Sequence, residues 1–251
     1  MPLVGTTVSD FTLTTGTRTL TVTAAAGDRI VVKVSGSSSN AGFSMADDRG
    51  LTWSATSVTT SGYTPVWVWT STAVPVSGVV TLTITRGSGA SYWGAVVDLW
   101  RSVSGFGVPV TGKGTSGAPA LALTTTQAAS GLTWLSGDRN SGSVSGRTWR
   151  AVNTAAAEQY AGTPGASIYS ATWPDAGAAG AKTVGLSAPS GQKWSAIAVE
   201  VVPLVSVTST LATAWAADAG VMTTLTTAWA IDLLSVSASL ATAWAIDGSV
   251  T

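Results

Sequence analysis

Short runs of Thr, Val, Ile, Leu and Trp, each closed by Gly, Ser, Pro or Asp, limit what this chain can fold into. Thr19 to Thr23 alternates polar and apolar side chains, and Arg29-Ile30-Val31-Val32-Lys33-Val34 is a β-branched run that ends in the turn-rich stretch from Ser35 to Gly42. Val66 to Thr70, Val79 to Thr85 and Tyr92 to Trp100 follow the same plan. Alternating or β-branched segments of this length, bounded by residues that supply turns, read as strands. With no helical stretch between them, they predict an all-β protein, a sandwich or barrel.

The second part of the chain repeats the first in order. Leu20 to Val32 matches Leu121 to Trp134, and Leu51-Thr52-Trp53-Ser54-Ala55 matches Arg147-Thr148-Trp149-Arg150-Ala151. Pro65 to Trp69 aligns with Ser167 to Ala171, and Trp93 to Asp98 with Trp194 to Glu200, one residue longer. Matches in a single order indicate a duplication. Two related sets of five or six strands, about residues 11–105 and 115–203, predict a jelly-roll-like two-sheet sandwich ending near Pro203.

From Leu204 the character changes. Leu211-Ala212-Thr213-Ala214-Trp215 recurs from Leu225 to Trp229 and from Leu240 to Trp244, with Trp spacings of 14 and 15. A capped helix is one reading of this unit, but it is too short to be a stable lone helix. Read as strands, the repeats place Leu211, Trp215, Leu225, Trp229, Ile231, Leu240, Trp244 and Ile246 on one bulky face, with Ala on the other. A bulky stripe needs burial, so residues 204–251 are expected to be an assembly segment that packs on another subunit or on the sandwich.

Composition excludes several chemistries. There is no Cys and no His, hence no disulfide, thiolate nucleophile, Ser-His-Asp triad or imidazole ligand. Twelve basic and 12 acidic side chains cancel, and only 10% of residues are charged. That argues against a nucleic-acid partner and leaves little charge repulsion to oppose self-association. Met1 to Asp10 lacks a basic and apolar leader pattern. No apolar run approaches the roughly 18 residues of a membrane span, so no membrane partner is expected.

Few residues invite a site. Asp98 and Glu200, each late in an apolar strand and aligned with one another by the matched segments, are the best pair for the two carboxylates of a glycosidase. A carboxylate satisfied at a strand end is the plainer reading, and no catalytic residue is assigned. Asp47-Asp48-Arg49-Gly50 and Asp138-Arg139-Asn140-Ser141-Gly142 carry oxygen ligands but follow no calcium-loop pattern, so they read as turns, and no metal or cofactor is expected. Trp67 and Trp69 share a face of one strand and are candidate glycan contacts, with Trp149, Trp173, Tyr160 and Tyr169 as further aromatics among Gly, Pro and Thr.

Together these stretches resemble virion proteins of tailed phages of actinobacteria, of the minor tail or capsid-associated type. Their sandwich domains carry a Gly-Asp-(apolar strand), here Gly27-Asp28-Arg29-Ile30-Val31-Val32. An Asp-rich turn leading to Thr-Trp follows, here Asp47 to Trp53, and then an Ala/Val strand ending in an acid, here Ala95-Val96-Val97-Asp98. Tail segments of the Leu-Ala-Thr-Ala-Trp kind are matched at 211–217, 225–231 and 240–246. The resemblance implies synthesis in a host cytoplasm, a virion location, and a homo-oligomer, with a trimer favoured. Other virion proteins and a host cell-surface glycan are the further partners it implies. It transfers no catalytic residue. The expected function is therefore a non-enzymatic virion structural protein, with a carbohydrate-binding adhesion module as the alternative and a polysaccharide-degrading enzyme as the third choice.

Overall fold

The strand segments close into two copies of one arrangement. A computed structural model describes residues 3–205 except 10, 12–15, 38–41, 88–91, 140–142, 164 and 192. The repeat residues Leu211, Trp215, Leu225, Trp229, Ile231, Leu240, Trp244 and Ile246 lie outside the described residues. The described elements are all strands. In the first copy, β1 (Leu3–Val8), β3 (Arg29–Gly36), β5 (Trp53–Val58), β6 (Val66–Ser71) and β8 (Trp93–Trp100) form a large sheet in the order β1-β8-β3-β6-β5. β2 (Thr17–Ala24), β4 (Phe43–Asp47) and β7 (Gly78–Arg86) form a small sheet in the order β2-β7-β4.

After a connecting strand, β9 (Val103–Phe106), the second copy repeats this order. β10 (Val110–Gly114), β12 (Gly131–Asp138), β14 (Ala157–Gly162), β15 (Ser167–Trp173) and β17 (Trp194–Pro203) build its large sheet as β10-β17-β12-β15-β14, and β9 pairs with the end of β17 as a sixth strand. β11 (Ala120–Thr125), β13 (Thr148–Trp149) and β16 (Gly180–Ala188) build its small sheet as β11-β16-β13. All pairings are antiparallel. The protein is thus an all-β, jelly-roll-like sandwich with an internal duplication.

The duplication goes further than five or six strands per copy. Each copy has eight strands and is a complete two-sheet sandwich with its own core. The first core holds Ile30, Val32, Leu82, Ile84, Trp93 and Val97. The second holds Leu132, Trp134, Trp173, Val184, Trp194 and Ala198. Between them, the outer faces of the two large sheets share a third core of Val31, Val68, Val96, Trp100, Leu135, Ile168, Ile197 and Val199. The layers therefore run small sheet, large sheet, large sheet, small sheet, within one compact unit from Met1 to Leu204. Central strands covered on both faces explain the unbroken apolar runs: every residue of β8 and β12 is buried.

Three of the four sequence matches coincide with this topology. In β3, Val31 pairs with Thr70 of β6, and in β12, Thr133 pairs with Thr172 of β15, which aligns Val66 with Ile168 and Trp67 with Tyr169. Trp93 and Trp194 likewise open the last strand of each copy. The Thr-Trp match does not hold. Trp53 begins the fifth strand of its copy, on the large sheet opposite Ser71, whereas Trp149 ends the fourth strand, on the small sheet opposite Leu186. Both indoles donate to a carboxylate, Trp53 to Asp47 at 2.7 Å and Trp149 to Glu158 at 2.9 Å, so similar local chemistry sits on non-equivalent strands.

Candidate functional site

The densest polar chemistry lies between the two large sheets. Along β3 and β8, side chains alternate between the first core and the shared core, which points Lys33 and Asp98 at the second copy. Lys33 Nζ stands 2.6 Å from Asp98 Oδ2, and both side chains are fully buried. Asp98 Oδ2 also accepts from Thr133 Oγ1 at 3.0 Å, and Oδ1 from Thr6 Oγ1 at 3.3 Å and Gln159 Nε2 at 2.7 Å. Gln159 returns its Oε1 to Lys33 Nζ and to Ser170 Oγ, the latter at 3.0 Å, while its Nε2 also donates to Thr6 Oγ1 at 2.9 Å. Thr6, Lys33 and Asp98 come from one copy; Thr133, Gln159 and Ser170 come from the other. Burial pulls the Lys33 ammonium pKa below the ordinary lysine value, against the opposing pull of Asp98.

Glu200 is not the counterpart of Asp98. Val31 pairs with Asp98 in the first copy and Thr133 with Val199 in the second, so Val199 occupies the Asp98 position. The extra residue between Trp194 and Glu200 reverses the parity, and a one-residue offset in a strand moves a side chain to the opposite face. Glu200 turns toward the second copy's small sheet. There it accepts from the Thr126 backbone N at 2.6 Å, from Thr126 Oγ1 at 3.1 Å and from Ser130 Oγ at 2.7 Å. The two carboxylates share no cleft.

The turns at Asp47 and Asp28 are structural, while residues 140–142 of the Asp138-Arg139-Asn140-Ser141-Gly142 stretch lie outside the described residues. Asp47 Oδ1 accepts from the N–H groups of Arg49 and Leu51 at 2.7 and 3.1 Å, and Gly50 takes φ +68°, a left-handed conformation that favours glycine. Asp28, in the Gly27-Asp28 turn, is gripped by Arg101 through two 2.8 Å bonds and by the Ala25 N–H at 2.8 Å. Its burial raises the pKa, but the Arg101 bonds, the Ala25 N–H and the guanidinium charge together hold it below the usual value. Among the described residues no three acidic side chains gather as a metal site.

The aromatic candidates are mostly internal. Trp69 is 5% exposed and packs in the first core, so it cannot offer an open face to a sugar. Trp67 is half-buried and stacks on it, with ring centroids 5.4 Å apart. Trp173 and Tyr169 are fully buried, and Tyr160 stacks on Phe11 across the two copies at 4.2 Å. A feature that strand reading missed is Tyr63, in the turn before β6. Lys113 Nζ and Lys193 Nζ stand 5.6 and 5.7 Å from its ring. The three residues are far apart in sequence, so no local pattern announces them. An open depression of about 330 Å³ between β1 and β2 is lined by Val4, Thr6, Thr21, Val22, Thr23 and Leu99, without a titratable group.

No family model, curated protein or solved structure matches this chain.

Proposed function

We propose that the chain is a non-enzymatic structural component of a phage virion, on the tail or capsid surface, that assembles as a homo-oligomer through its C-terminal Trp repeats. The observation that carries this reading is the use of the charged groups. Asp98 and Glu200, the pair a polysaccharide hydrolase would need, face different cores and are occupied by Lys33 and Gln159 in one case and by Thr126 and Ser130 in the other. Both carboxylates therefore have structural work. The repeats from Leu211 to Ile246 add three equivalent Trp, which suit packing against other chains. Sedimentation of the full-length protein beside a 1–204 truncation tests the reading. An oligomer, with a trimer favoured, that falls to monomer on truncation supports it, and a full-length monomer refutes it.

Attachment to a host-wall glycan is the second reading, and Tyr63 supports it in place of Trp69. A half-buried ring flanked by two ammonium groups matches a glycan that carries phosphate or carboxylate. Binding to purified cell walls that is lost in a Tyr63→Ala, Lys113→Ala double variant would favour it. Equal retention of both proteins would remove it.

A further inference from the structure

A salt bridge alone is a poor account of the polar island between the two sheets. A buried ion pair is often no more stabilising than apolar side chains of the same size, and Val31, Val96, Leu135, Ile197 and Val199 already fill the space around it. What the pair adds is a third partner. Gln159 is held at both ends of its amide: Oε1 accepts from Lys33 Nζ and Ser170 Oγ, and Nε2 donates to Asp98 Oδ1. Asp98 therefore bridges the amine of Lys33 and the amide nitrogen of Gln159, one with each oxygen. The amine of Lys33 contacts Oε1, and the carbon an amine would attack is the one bonded to that oxygen. These are the parts of an amide exchange: a nucleophile, an electrophile with a donor on its oxygen, and a carboxylate touching both the attacking and the leaving nitrogen.

We propose that Lys33 and Gln159 form an intramolecular isopeptide bond, with Asp98 as the proton-transfer group, so that the two sandwiches become covalently joined. In the proposed step the ammonium of Lys33 gives one proton to Asp98, leaving a neutral amine and a neutral carboxyl. The Nζ lone pair attacks Cδ of Gln159, and the carbonyl electrons move onto Oε1, where Ser170 Oγ donates to them. Asp98 hands its proton to Nε2 and takes one from Nζ. The Cδ–Nε2 bond then breaks, the carbonyl reforms and ammonia leaves. Two nitrogens and five exchangeable protons enter; the new amide N–H, ammonia and the protonated Asp98 carboxyl account for them, with no oxidant or co-reactant. The lowered pKa of Lys33 acts in the same direction by favouring the neutral amine.

The bond would link positions 126 residues apart, from β3 of one copy to β14 of the other. In a chain with no Cys, it would do what a disulfide does elsewhere, and reduction would not undo it. The inference is independent of the virion reading, since it requires only that the chain fold.

Intact mass of the purified full-length protein, measured in denaturant, is the test. The expected mass lies below that of the sequence by one ammonia, and a protease digest contains the Lys33 peptide joined to the Gln159 peptide. The full sequence mass refutes the proposal. So does loss of one water, which would mean a Lys33–Asp98 amide, or loss of ammonia at any other site. Lys33→Arg and Asp98→Asn, with folding checked by circular dichroism, are expected to show no joined peptide and a lower melting temperature. A joined peptide in folded Asp98→Asn would overturn the role of the carboxylate.

Discussion

Gly137 tests whether the two sandwiches are packed as rigidly as their shared core implies. It lies on β12, two residues beyond Leu135, on the face that meets the first copy. A Cβ added there would stand 2.3 Å from Thr64 Cγ2, 2.7 Å from Thr64 Cβ and 3.3 Å from Ser35 Oγ. Thr64 cannot simply withdraw. Its carbonyl accepts from Ser195 Oγ, the next carbonyl, Pro65 O, accepts from Ser35 Oγ at 2.8 Å, and Thr64, Ser35 and Ser195 are all fully buried. Gly137→Ala must therefore separate the sheets or break these bonds, and overpacking of this kind costs about 1–3 kcal/mol. At roughly 2–4 °C per kcal/mol for a domain of this size, the melting temperature should fall by about 2–12 °C. Gly5→Ala is the control, because nothing lies within 4 Å of its added Cβ. It should stay within about 0.5 kcal/mol of the parent. Thermal melts followed by circular dichroism read both. If Gly137→Ala melts with the parent and with Gly5→Ala, the close approach of the two copies is not a constraint and the rigid shared core is wrong.

Other expectations follow from single contacts. Asp28 has a depressed folded pKa, so the stability it supplies is fully present above the ordinary carboxylate pKa of about 3.9 and is lost as pH falls through the lower folded value. The advantage of the parent over Asp28→Asn should accordingly shrink in acid denaturation curves below about pH 4; a constant gap down to about pH 2 would contradict this. Glu200→Gln brings an NH₂ donor into a site whose recorded partners, Thr126 N, Thr126 Oγ1 and Ser130 Oγ, all donate. It should cost about 1–3 kcal/mol in urea unfolding, and an unchanged midpoint would show the turn does not depend on the charge. Deleting residues 205–251 should leave the circular dichroism spectrum of the double sandwich and its cooperative melt intact, because the cores among the described residues are built from residues up to Val201; loss of the melt would place the repeats in the core.

Segmentation into strands was legible because alternation and turn chemistry are local, and each central run sits where the sequence places it. The duplication was legible for a related reason: Val66 and Ile168, or Trp93 and Trp194, occupy the same buried positions in their copies and so kept the same character. Even the different fates of Asp98 and Glu200 were present in the one-residue difference in spacing, which in a strand is a change of face. Edge strands such as β1, β10 and β14 were harder to see, since they are partly exposed and their side chains answer to solvent as much as to a core. Only the tertiary structure decided that each copy closes as its own sandwich and that the two large sheets then meet back to back. That meeting, not any local pattern, brings Lys33 and Asp98 to Gln159. A strand records the polarity of the faces it presents, but it carries no mark of which distant strand will cover them.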